Sequence, residues 1–232
     1  MRGYIGLSIL AVAIAVGLLA GACAASASPP SSVPTATAVP TPSPTPAPTL
    51  PAGQIPLGTY RAGFATYTLP AGWTAFDSRT ILKGNANPPN GMAVALWQDI
   101  GTVYKDPCHA GSPSPGPTGL TVDALVAAFV AQKRGSPVTP VDVTVDGFAA
   151  KQIDLMVPLD VNVAACDGGQ YTSWTDTSAD DRYNQGPGQH DLLDILSVNG
   201  KTLVIQRSFY PANTAADLAE LQAIVDSIKI NS

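Results

Sequence analysis

The sequence predicts an α+β domain, an antiparallel β-sheet with two packed helices, preceded by a signal peptide and a disordered Pro-rich linker. Three observations carry that prediction. Asp146-Gly147 and Asn199-Gly200 each separate two apolar-rich segments, and both are residue pairs that accept the positive φ angles of a two-residue hairpin turn. Two isolated stretches, 121–132 and 214–228, carry apolar residues at helical spacing. No βαβ rhythm or internal repeat is present, so the helices are expected to pack on an antiparallel sheet.

The elements follow in order. Ala65–Leu69 and Trp73–Phe76 read as short strands around Pro70-Ala71-Gly72, and residues 84–91 as a loop by composition. In the next strand, Met92–Gln98, Met92, Val94 and Leu96 share one face, and Ala93, Ala95 and Trp97 the other. Residues 106–119 form a Pro/Gly/Ser-rich excursion. Thr121 is placed to cap a helix, with Asp123 in its positive first turn. Leu125 and Phe129 lie one turn apart, Val122 and Val126 widen that stripe, and Gly135 and Pro137 end the segment.

Val141, Val143 and Val145 alternate with Asp142, Thr144 and Asp146, the signature of a half-buried strand. Its hairpin partner is Phe148–Val157. The second hairpin pairs Asp191–Val198 with Lys201–Tyr210. Thr214-x-x-Asp217 resembles a capping box with Asp in place of Glu. Leu218, Leu221, Val225 and Ile228 form the apolar stripe after it, with Glu220 on the outer side, and Ile228 could instead open a terminal strand to Ile230. The stretch 167–190 reads as one long polar, glycine-rich connection, a kind of segment that is often functional or disordered.

Charge divides the chain sharply. Residues 3–60 contain no charged side chain, whereas 61–232 hold 11 basic and 17 acidic ones, a net −6. An acidic domain without basic clusters argues against nucleic-acid binding and against a polybasic membrane-surface module. The leader explains the uncharged quarter. Met1-Arg2 is a short positive start, Tyr4–Leu19 is an apolar run, and small residues follow it. Ala20-Gly21-Ala22-Cys23 resembles the lipobox of bacterial lipoproteins, in which the Cys is diacylated and becomes the first residue. Ordinary secretion after Ala22 or Ala27, or an uncleaved anchor, are the competing readings. Residues 24–53 hold nine Pro, seven Ala, five Ser and five Thr, a composition that suits an extended prolyl spacer. The expected organisation is a signal peptide at 1–22, a tether at 23–53 and an extracytoplasmic domain at 54–232.

With Cys23 lipidated or removed, Cys108 and Cys166 remain as an even pair in an exported domain, where a disulfide is the natural state. Metal ligation is the rival, but Cys108-His109 stand adjacent and no CxxC or HxxxH spacing exists.

Catalytic motifs are missing from the sequence. There is no Gly-x-Ser-x-Gly, Ser-x-x-Lys, Walker loop or His-Glu-x-x-His, and the only Glu is Glu220. His190 with Asp191 and Asp194 reads as a strand-entry hydrogen-bonding group before it reads as an acid–base one. The acidic cluster Asp176, Asp180 and Asp181 lacks the alternate spacing of a calcium loop and reads as solvated acids. Trp174, Tyr183 and His190 are the candidate ligand-groove residues, because they lie in or at the end of the 167–190 stretch.

A resemblance adds to this reading. Tyr104-Lys105-Asp106-Pro107-Cys108, Val145-Asp146-Gly147, Cys166-Asp167-Gly168 leading to Trp174, and Gly186-Pro187-Gly188-Gln189-His190-Asp191 together resemble an uncharacterised extracytoplasmic domain of bacterial lipoproteins and membrane proteins, over about residues 55–230. The closing Ile224-Val225-Asp226-Ser227-Ile228 is similar to the PsbP-like fold of photosystem extrinsic subunits and LpqN-type lipoproteins. The resemblance implies a binding or accessory role and supplies no catalytic residue, cofactor or metal. The expectation is therefore a monomeric, non-catalytic lipoprotein anchored at the cell membrane through Cys23, facing a cell-envelope ligand or protein partner. An extracytoplasmic hydrolase with loop-borne His and Asp groups is the alternative, and a purely structural envelope protein the third.

Overall fold

Two apolar faces on the same strands dictate the architecture. In strand β5 (Met92–Gln98), Met92, Val94 and Leu96 join one core, and Ala95 and Trp97 join another, so this strand is covered on both sides. A computed structural model describes residues 59–110, 113–114 and 121–231. The expected signal peptide, Cys23 and the tether lie outside the described residues.

Strand β5 belongs to a seven-stranded antiparallel sheet of order β3-β4-β5-β13-β12-β9-β8. Its other members are β3 (Thr74–Ala75), β4 (Thr80–Lys83), β8 (Val141–Val145), β9 (Phe148–Met156), β12 (His190–Val198) and β13 (Lys201–Phe209). Both anticipated hairpins are present. Asp146 and Gly147 have φ of 45° and 83°, and Asn199 and Gly200 have 50° and 78°, as the tight turns demand. Beside one face lie β1 (Thr59–Ala62), β2 (Ala65–Thr68) and β14 (Lys229–Ile230) as a small sheet, together with helix α2 (Ala215–Asp226). Beside the other face lie helix α1 (Val122–Val130) and a sheet of order β11-β10-β6-β7. That sheet comprises β6 (Ile100–Tyr104), β7 (Pro113–Ser114), β10 (Tyr171–Asp176) and β11 (Asp181–Asn184). The fold is α+β, with mostly antiparallel sheets and two helices.

Both helices start as their sequences require. The Thr121 hydroxyl accepts the Ala124 amide hydrogen. Thr214 and Asp217 form a reciprocal capping box, the Asp217 carboxylate accepting the Thr214 amide at 2.9 Å. Helix α1 buries Leu125, Val126 and Phe129, the last against Trp174 edge-to-face at 5.3 Å. Each such side chain contributes about 1.5–3 kcal/mol when fully buried.

Four expectations need correction. The stretch 167–190 is not one connection: it contains β10 and β11, which are polar in sequence because their inward side chains enter a buried polar network. Glu220 does not face outward. Its carboxylate accepts the Trp73 indole N–H at 2.8 Å and pairs with Lys83, so the sole Glu is held between α2, Trp73 and β4. The buried stripe of α2 is Leu221, Ile224 and Val225, rotated away from Leu218, which is 39% exposed. Lastly, the half-buried face of the edge strand β8 holds Val145 and, partly, Val143, but Val141, expected on it, is 48% exposed.

Cys108 and Cys166 form a disulfide across 58 positions, beside Val157 and Tyr171. Main-chain bonds from Asp167 to Cys108 and from Thr172 to Pro107 continue that junction, tying the entry to β10 to the end of the β6 segment.

Candidate functional site

The second face of the large sheet is only partly covered. Where Val204, Ile195 and Leu193 project, α1 and Trp174 close over them. Toward the other end of the same strands the residues become small or polar: Ala93 and Ala95 on β5, Gln206 and Ser208 on β13. There the sheet floors a cavity of 630 Å³. Register accounts for the clustering, because Gln206 pairs with Ala95 and Ser208 with Ala93, while Ser208 also pairs with Asp191. Small side chains leave the space, and polar neighbours wet it.

Against the floor lies a buried polar network, in which Arg134 Nη1 and Arg182 Nε are left without a partner. Asp191 is completely buried and accepts from five donors: Arg182 Nη2 and Ser208 Oγ at 2.7 Å, Asn184 Nδ2 at 2.8 Å, Gln206 Nε2 at 3.0 Å and Gln189 Nε2 at 3.3 Å. Burial opposes its charge, but Arg182, the Ser208 bond and Arg134 outweigh it and hold the carboxyl below its ordinary range. Asn184 Oδ1 in turn accepts from Ser173, whose hydroxyl accepts from Arg134 Nη2 at 2.7 Å. Arg134 is only 2% exposed and bonds Gln132 through Nε, while the Gln132 amide donates to the Tyr104 and Ser173 carbonyls. Thus the inward faces of β10 and β11 are polar because they share one buried carboxylate between two guanidinium groups.

Residues 84–87 and the segment 183–189 wall the cleft. The former stand over one side, with Asn85 and Ala86 at φ of 56° and 57°. Gly91 closes that loop: a Cβ there would lie 2.3 Å from the Asn87 nitrogen and 2.4 Å from the Ala86 carbonyl carbon. Gly91→Ala therefore sets backbone against backbone, and a loss of about 1–3 kcal/mol is expected in a urea titration. An unchanged midpoint would contradict the packing. Tyr210 links the two walls, its hydroxyl reaching Gln189 Oε1 at 3.2 Å and the Ala86 carbonyl at 3.4 Å. Burial, with Asp191 nearby, pushes that phenol up to about 12, so it stays a neutral donor near pH 7.

At the rim, Arg79 is clamped. Its guanidinium donates to Asp176 at 2.6 Å, pairs with Asp180, and lies 4.6 Å over the Trp97 ring. Of the acidic cluster expected to be solvated, Asp180 and Asp181 are exposed, but Asp176 is not. Asp176 is buried, also accepts the Ser178 and Asp180 amides, and is neutralised by Arg79. Asp181 accepts from Thr175 and, at 3.4 Å, from the Tyr104 hydroxyl. No group of three or more His, Cys, Asp or Glu among the described residues is arranged to hold a metal ion.

The three expected groove residues separate. Tyr183 lines the cleft and is 42% exposed. Trp174 is completely buried in the second core, edge-on to Trp97 at 5.6 Å, and lines no part of it. His190 points to the opposite face of the sheet, bonded to Asp154 at 2.9 Å and stacked flat on Phe209 at 4.9 Å. Residues that sequence reasoning did not single out complete the site. The side-chain amides of Asn85, Asn87, Gln170 and Gln185 all line the cleft, and among the described residues none of them bonds within the chain. Phe76, 73% exposed, stands with them. The signal available for Asn85 and Asn87 was their glycine-flanked loop; for Gln170 and Gln185 the sequence carried none.

The Asp154 contact raises the His190 pKa above 6.5, with burial opposing it. The stability it contributes is fully present below 6.5 and is lost as pH rises through the higher folded value. NMR titration of the His190 ring is expected to give a value above 6.5, and Asp154→Asn to lower it; equal values in both proteins would contradict the pairing.

No family model and no curated protein matches the chain. Solved structures to which it is similar include the following three. A Bacteroides thetaiotaomicron VPI-5482 protein shares 8% identity over 74% of this chain, with a TM-score of 0.35, and the chain spans about half of it (47%). Cyanobacterial PsbP (CyanoP) of Synechocystis sp. PCC 6803 shares 12% identity over 78% of this chain and 96% of its own, at 0.38. The Saccharomyces cerevisiae Ran-binding protein Mog1p shares 10% over 77% and 95%, at 0.31. Overlap this loose transfers neither a role nor a residue.

Proposed function

We propose that this chain is a membrane-anchored bacterial surface lipoprotein whose extracytoplasmic domain, PsbP-like in fold, is a monomeric, non-catalytic binding or accessory module with its ligand site in the 630 Å³ cleft. The observation that supports it best is the division of labour inside that cleft. Most buried groups bond one another, while the exposed amides on the rim have no hydrogen bond to any other described residue. That arrangement suits recognition, and neither His109 nor His190 lines the cleft to serve as an acid or base. Its volume falls within the range of about 300–1,000 Å³ of small-molecule sites. The anchor is Cys23, with residues 23–53 as spacer. Two acyl chains, at about 0.8 kcal/mol per buried CH₂, hold such a protein on a membrane.

Two experiments test this. Cys23→Ser is expected to move the protein from the membrane fraction to the soluble one; retention in the membrane contradicts the lipid anchor. In the second, the full chain is titrated with soluble fragments of the cell envelope while its NMR spectrum and the fragments are both followed. Shifts confined to Tyr183, Gln185, Asn85 and Gln170, with the fragments intact, are expected. Consumption of a fragment that His190→Ala abolishes would establish the hydrolase reading instead. An unchanged spectrum would leave the structural-protein reading.

A further inference from the structure

We infer that the cleft binds a neutral, polyhydroxylated ligand, a short stretch of uncharged glycan. This rests on the binding-module reading above and names its ligand class. Three features of the site select that chemistry.

The first is charge. Asp77, Arg79, Asp180, Asp181 and Arg182 line the cleft, two cations against three anions. Arg79 is occupied by Asp176 and Asp180, and Arg182 by Asp191 and the Tyr183 carbonyl. Arg182 Nε has no partner but is buried, so neither guanidinium presents the free pair of N–H groups that a phosphate, sulfate or carboxylate ligand requires. A cation fares no better, because Asp180 already has Arg79 and Asp181 has Thr175 and Tyr104.

The second is the set of available hydrogen-bonding groups. Asn85, Asn87, Gln170 and Gln185 each offer one carbonyl and one NH₂ on a planar group. A pair of adjacent hydroxyls, each both donor and acceptor, matches that set without any charge. Being exposed, these amides are solvated before binding, so exchanging water for hydroxyls has little desolvation cost.

The third is the rings. Tyr183 and Phe76 are the exposed aromatic residues of the cleft, 42% and 73% exposed. The C–H face of a sugar ring is apolar and lies flat, which is the partner an exposed aromatic face accepts. Trp97 cannot serve, since Arg79 covers one side of its ring and Trp174 abuts it edge-on. An extended peptide would instead seek a free strand edge to pair its backbone; the floor strands β5 and β13 are hydrogen-bonded on both sides, and the edge at the cleft is the four-residue β11, short for such pairing.

The test is an array of neutral oligosaccharides, with uronic-acid and sulfated oligosaccharides and a random peptide library beside them, probed with the full chain. Neutral oligosaccharides are expected to bind at least about tenfold more tightly than acidic ones of equal length. Tyr183→Ala is expected to lower that affinity about tenfold, Tyr183→Phe to retain most of it, and Gln185→Ala with Asn85→Ala to lower it further. Circular dichroism of each variant separates loss of the ligand from loss of fold, since all three positions are exposed. Preference for acidic glycans, or binding confined to peptides that Tyr183→Ala weakens, overturns the glycan inference and leaves the cleft a binding site. Binding to no arrayed ligand overturns the glycan inference as well. If the envelope fragments also leave the cleft unperturbed, the binding-module reading falls with it.

Discussion

Replacing Asp191 with alanine is expected to destabilise the folded chain by about 3–5 kcal/mol. The reason lies in what would remain. Arg182 and Arg134 are 8% and 2% exposed, and Asp191 is the carboxylate that their shared network surrounds. Removing it strands two guanidinium groups in the interior along with four neutral donors. Asp191→Asn keeps the shape and some of the bonds and is expected to cost less. Denaturant titration measures both, and a loss below about 1 kcal/mol for the alanine variant would contradict the network.

The pH dependence has a definite sign. Because the folded pKa of Asp191 lies below 3.8, the stability it contributes is present above that value and is lost as pH falls through the folded one. Asp194, on the opposite face, behaves in reverse. Burial raises it above 3.8, and Arg207 at 2.7 Å and Gln152 compensate only in part. Its contribution is full below 3.8 and is lost as pH rises through the raised value. Two buried aspartates, each 2.7 Å from an arginine, thus move apart because one has five donors and the other two. Acid unfolding of Asp191→Asn is accordingly expected to lose part of the wild-type slope, and that of Asp194→Asn to become steeper.

Removal of the disulfide is the second large effect. The double substitution Cys108→Ala, Cys166→Ala opens a loop of 58 positions that contains α1 and the β8–β9 hairpin, and a cost of about 2–5 kcal/mol is expected. The loss also has a location. Cys166 precedes β10, and the junction around it fixes where Ser173 and Trp174 enter their respective networks. Hydrogen exchange is expected to speed first in β10 and in the β6 residues paired with it. Uniform acceleration across the large sheet would show instead that the bridge acts on the unfolded chain alone.

What was legible in the sequence follows a physical line. Asp146-Gly147 and Asn199-Gly200 specified their hairpins because a positive φ at two consecutive positions leaves few residue choices. The Thr121 and Thr214 caps were equally local. By contrast, β10 and β11 were invisible. Ser173, Asn184 and Arg182 have a loop's composition, and the network around the buried Asp191 explains their burial. Glu220 was misplaced for the same reason: its partners Trp73 and Lys83 stand 147 and 137 positions away. The candidate site was legible by a third. Tyr183 lines it, Trp174 reads as exposed only when its strand is taken for a loop, and His190 falls on the other face because β12 alternates. The amides that complete the rim come from four segments, and their convergence is a product of topology.

The most direct test of the ligand site is a crystal structure of the full chain with a neutral oligosaccharide bound. The account predicts a sugar ring lying flat on Tyr183 or Phe76, with hydroxyls within hydrogen-bond distance of the Asn85 and Gln185 amides. A sugar seated instead beside His190 and Asp154, or in the cavity over Asp194 and Arg207, would contradict it.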